Sequence, residues 1–67
     1  MSKEEIAKVL KMALALEKKN YNDYLKASKE AELQSIQKMF AFLAEEEERH
    51  IVMIRQKMKD FGVSEED

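Results

Sequence analysis

From Met1 to Phe61 the chain contains neither glycine nor proline, and it has no cysteine anywhere. Alanine, leucine, glutamate and lysine dominate, all of them good helix formers, so the composition reads as helix almost throughout. Ser2 followed by Glu5 forms a capping box, in which two side chains satisfy orphan amides at a helix start. The sole glycine, Gly62, stands where a last helix would end, with a short frayed acidic tail behind it.

Within this helical background two stripes can be followed. Ile6, Leu10, Ala13, Glu17, Asn20, Tyr24, Ala27 and Ala31 recur at alternating steps of four and three, which keeps them on one helical face. Ile36, Phe40, Leu43, Glu47, His50, Ile54, Lys57 and Phe61 do the same in the second half. Val9, Leu14, Leu16, Leu25, Met39, Phe42, Ile51, Met53 and Met58 widen both stripes, as suits helices packed on more than one neighbour. One continuous helix of about 85 Å would leave that stripe exposed to water. The expected fold is all-α: an antiparallel hairpin forming one unit over residues 1–67, with helix 3–31, turn 32–35, helix 36–61 and tail 62–67. Ser35 is the candidate cap of the second helix, although Lys38 is not the reciprocal partner of a capping box. The turn rests mainly on register: reflection about residue 32 pairs Leu10 with Ile54, Glu17 with Glu47, and Tyr24 with Phe40.

A chain of 67 residues has room for one small core that needs a staple. Without cysteine, the staple is self-association or a metal held by nitrogen and oxygen ligands. The net charge of −2 comes from interspersed acidic and basic residues, with no basic patch for nucleic acid. The longest apolar run, Met12 to Leu16, is too short to cross a membrane, and the start MSKEEIAK lacks the apolar core of a signal peptide. Cytoplasmic residence is the default expectation.

Among the polar residues on the stripes, three have metal-ligating side chains: Glu17 in the first, Glu47 and His50 in the second. The motif Glu47-x-x-His50 follows cheaply from the run of four glutamates before Arg49, and a charge run is usually a solvated face. Glu17 alone could be an edge residue that reaches water. Together they say more. Residues three apart project from one side of a helix about a turn apart, so Glu47 and His50 can grip a common ion. Glu17 lies at matching height on the other helix, and burying ionised carboxylates unpaired costs several kcal/mol each. Lys57 is on the stripe but two turns beyond His50, too far to neutralise the cluster. A metal ion is therefore the expected counter-charge. Around it, Asn20 could orient a ligand, Tyr24 lies two turns from Glu17, and Glu46 is the substitute ligand for Glu47.

One hairpin supplies two carboxylates and one imidazole. A two-fold dimer makes a four-helix bundle and doubles the set to the ligand complement of ferritin-like dinuclear sites. Such oxygen-rich sites with two imidazoles suit iron or manganese, with zinc as a rival. Glu17, Tyr24 and the run Leu43-Ala44-Glu45-Glu46-Glu47-Glu48-Arg49-His50 resemble the rubrerythrin and ferritin-like superfamily. The single hairpin is most similar to a half-ferritin of the encapsulated-ferritin type, over roughly Ile6 to Phe61. That resemblance implies iron ligands at Glu17, Glu47 and His50, two irons per dimer, and Tyr24 close behind them. It also implies a ring of dimers, an encapsulating shell protein, and oxidation of Fe(II) by oxygen or peroxide. Two departures are plain within these 67 residues: the stretch after Phe61 is too short for the extra C-terminal helix and shell-targeting tail, and no Cys-x-x-Cys pair exists for an electron relay. The rival expectations are a non-enzymatic hairpin that docks on a partner helix, and a structural metal that locks a dimer without turnover.

Overall fold

A computed structural model of the protein, describing residues 1–66, consists of two helices, α1 (Lys3–Glu30) and α2 (Gln34–Asp60), packed as an antiparallel hairpin. The described residues contain no strand, and no helix among them is long and apolar enough to cross a membrane. The expected all-α hairpin is what forms.

The start of α1 follows from its capping box. The Ser2 amide donates to Glu5 Oε1 (3.0 Å), and the Glu5 amide donates to Ser2 Oγ (3.1 Å). These bonds hold the Glu5 carboxyl below its ordinary range, backbone contribution first. Because the folded value is depressed, the contribution of Glu5 is present above the ordinary carboxylate pKa and disappears as pH falls through the folded one. Ser2→Ala should cost about 1 kcal/mol, measurable as a lower midpoint in urea with unchanged slope.

The reversal is tighter than the expected turn at 32–35. Ala31 caps the C-terminus of α1 and Leu33 the N-terminus of α2, both in extended conformation, so Ser35 lies inside the helix and caps nothing. The amides of Ile36 and Gln37 donate to the Leu33 carbonyl, and the Gln37 side-chain amide donates to the Ala31 carbonyl (2.6 Å). Two extended residues and a glutamine that satisfies a helix-end carbonyl thus turn the chain without positive φ, which among the described residues only Gly62 adopts.

At the other end, Gly62 (φ 67) completes a Schellman motif. The Gly62 amide donates to Lys59 O (3.1 Å) and the Val63 amide to Met58 O (2.7 Å), while Val63 packs on the core cluster that includes Met58. Two residues of the tail expected to fray are therefore held, while Asp67 lies outside the described residues. Val63 is tucked in, and Glu65 takes Arg55 Nε and Nη2 (both 3.2 Å) and Lys18 Nζ (3.4 Å).

The register is the one obtained by reflection. The Tyr24 and Phe40 rings stack at 6.2 Å, and Leu10 and Ile54 pack on the same core cluster. What differs is which stripe is innermost. Among the described residues, Leu14, Ala44, Ile51 and Met58 are the buried ones, positions beside the expected seam, whereas the seam itself is only half covered. Stepping around each helix at about 100° per residue explains this. On α1 the order runs from Leu14 through Leu10 and Glu17 to Ala13 and Asn20, then to exposed Val9 and Leu16. On α2 it runs from Ile51 through Glu47 and Ile54 to His50, then to exposed Met39, Phe42 and Met53. Antiparallel packing puts both open sectors on the same side of the hairpin, which thereby presents a broad apolar face. Lys57, expected on the seam, is exposed and pairs with Asp60 at 3.8 Å.

Candidate metal centre

Glu17 comes from the middle of α1; Glu47 and His50 come from successive turns of α2, at the edge of the open apolar face. Their donor atoms all lie within 4.8 Å of one another. His50 Nδ1 is 3.6 Å from Glu17 Oε2 and 3.9 Å from Glu47 Oε2. Both separations exceed a hydrogen bond, yet two bonds of about 2.1 Å to one divalent ion would span them.

Burial makes this arrangement costly as it stands. The Glu47 side chain is 14% exposed and that of Glu17 23%, while His50 at 45% lies toward the open face. Glu17 Oε2 and Glu47 Oε2 are both buried and accept no hydrogen bond. A buried carboxylate oxygen left without a donor costs several kcal/mol, and two side by side repel each other as well. A divalent cation would satisfy both oxygens and neutralise both charges. The donor chemistry, two carboxylates and one imidazole, fits iron or manganese.

The surrounding residues take smaller parts. Neither Asn20 nor Tyr24 donates to the two orphan oxygens. Tyr24 is instead half-buried against Phe40, and Asn20 is half-buried on the open side of Glu17. Glu46 turns away from the cluster to an ion pair with Arg49. The tail carboxylate Glu65, bound behind the centre by Lys18 and Arg55, had no local signal in the sequence, because its partners lie 47 and 10 residues away.

A helical hairpin carrying Glu on one helix and Glu-x-x-His on the other has the donor set found in one half of a ferritin-like carboxylate metal centre. The sequence model of the rubrerythrin family matches residues 8–67, nearly the whole chain, and the protein belongs to that family. No curated protein and no solved structure gave a significant match.

Proposed function

We propose that this protein binds iron between two copies of itself and oxidises Fe(II) with oxygen or peroxide. The observation that carries this reading is the pair of buried, unpartnered carboxylate oxygens facing His50. In a two-fold dimer the open apolar faces of two hairpins meet, giving a four-helix bundle with Glu17, Glu47 and His50 from each copy around two ions. Half-covered residues such as Leu10, Ala13, Leu43 and Ile54 become core, and exposed Leu16, Phe42 and Met53 leave water.

Each chain's residues have distinct work. Glu17 and Glu47 supply anionic oxygens already stripped of hydrogen bonds, so little desolvation remains to be done when the ion arrives. Their hard oxygens favour the ferric state over the ferrous, which assists loss of one electron from each iron. His50, the most exposed of the three, adds a neutral nitrogen on the side where the second copy closes over the centre. Bound iron would supply the redox chemistry: two Fe(II) give up two electrons, which with two protons from solvent reduce one oxygen molecule to hydrogen peroxide or one hydrogen peroxide to two waters.

The experiment is Fe(II) addition in air, followed by absorbance and by native mass. Ferric absorbance should appear at two irons per dimer, with dimer mass rising at the expense of monomer. A metal that only locks the dimer would raise the mass without oxidation at a catalysed rate. A hairpin that merely docks on partners would leave both the mass and the melting temperature indifferent to iron and to chelator. Either result would displace the ferroxidase reading.

A further inference from the structure

The two sides of the hairpin differ at the level of the metal centre. In front lie Glu17, Glu47 and His50; behind lies a cavity of about 220 Å³ lined by Lys18, Tyr21, Glu48, Ile51 and Arg55. At this height the helices therefore have a polar layer on one side and a gap on the other. The core cluster runs from Leu14 and Ile51 to Met58 toward the open end of the hairpin, while Ala44 and the Tyr24–Phe40 stack lie on the turn side.

Glu65 spans the back of this level. One of its oxygens accepts from Lys18 Nζ of α1 (3.4 Å) and from Arg55 Nη2 of α2 (3.2 Å); the other accepts from Arg55 Nε (3.2 Å). The fork of Arg55 fixes the carboxylate in two directions, which a single lysine contact would not do. The guanidinium, then Lys18, hold the Glu65 carboxyl below its ordinary range. The tail reaches this place because Gly62 closes the Schellman turn and Val63 docks on the core.

Lys18 follows Glu17 directly in the chain, so the two side chains leave α1 about 100° apart. Tethering Lys18 behind the hairpin resists rotation of α1 about its axis, the motion that would swing Glu17 away from Glu47 and His50. Arg55 holds α2 in the same way, five residues after His50.

Resting on the metal-binding reading above, we propose that Glu65 is a positioning residue: its bridge between Lys18 and Arg55 sets the spacing and rotation of the two helices at the centre, so the tail tunes metal affinity from behind. Because the bridge is partly exposed, its effect is modest, about three- to fivefold in metal affinity. The direction is diagnostic. Arg55 is a positive charge near a cation site, so removing it would strengthen binding of a divalent ion if only the electrostatic field mattered. With Arg55 acting through the bridge, removing it weakens binding.

The test is a Co(II) titration of the full chain, read by visible absorbance, on wild type, Glu65→Gln, Arg55→Gln and the double variant, with helix content checked by circular dichroism. Wild-type binding in the same assay tests the metal reading itself, separately from the bridge. Each single variant should lose about three- to fivefold in affinity with helix content unchanged and an altered Co(II) spectrum. The double variant should be no weaker than either single, since both break one bridge. Wild-type affinity in Glu65→Gln, tighter binding in Arg55→Gln, or additive losses in the double variant would overturn the proposal.

Discussion

Glu47→Gln should make the metal-free protein more stable while lowering its affinity for iron by at least about a hundredfold. The two effects have the same origin. Glu47 is the most deeply covered of the three candidate ligands, and its Oε2 is buried without a donor. Glutamine keeps the size of the side chain but removes the charge, so the repulsion of Glu17 and the cost of stripping an anion of water both vanish. A gain of about 1 kcal/mol would raise the melting temperature by about 4–8 °C in a chain of this size. The amide is a far poorer metal ligand than a carboxylate, and losing even a residue that only supports a ligand costs ten- to a hundredfold in affinity. Wild type melted with iron at 100 times Kd should gain about 2.7 kcal/mol, and the variant should gain almost nothing. Paired melts with and without metal decide the matter. A variant that is less stable without metal, yet binds iron like wild type, would show that Glu47 is a structural carboxylate.

The second large effect concerns the open face. Leu16→Lys combined with Phe42→Lys should leave the hairpin folded and abolish self-association. Both side chains are more than half exposed in the hairpin, at 57% and 55%, so the substitutions remove little from its own core. In a two-fold dimer each would appear twice, and burying a leucine or phenylalanine contributes about 1.5–3 kcal/mol per side chain. The loss should exceed a hundredfold in the dimer dissociation constant, read by sedimentation or native mass. Iron binding should fall with it, although Glu17, Glu47 and His50 are untouched, because a single chain offers only three donors. Persistence of the dimer would move the interface to another face.

These outcomes divide along the same line as the sequence and the structure do. The hairpin, its register and the height at which Glu17, Glu47 and His50 stand were all readable from steps of three and four along the chain. Helical periodicity is local, and reflection about residue 32 turns it into pairs such as Tyr24 with Phe40, which the structure stacks. Resemblance to the rubrerythrin superfamily rested on the same residues, and the family match agrees with it.

The turn was misplaced because its determinants are not turn residues. Gln37 closes it by reaching back to the Ala31 carbonyl, and a side-chain amide six residues away leaves no signal of the kind glycine, proline or serine would. The innermost stripe was likewise displaced, toward Leu14, Ile51 and Met58. A wide apolar sector looks the same whichever part of it a partner helix covers, and only packing selects the part.

By itself, then, the sequence determined the helices, the order of residues around each of them, and which polar side chains share a level. Tertiary structure decided which part of each stripe is buried, which two carboxylate oxygens are left without donors, and that Glu65 ties the backs of the two helices together. The physical reason is reach. Periodicity is written in neighbours three and four residues apart, whereas the orphaned oxygens and the bridge depend on helices facing each other across tens of residues of chain.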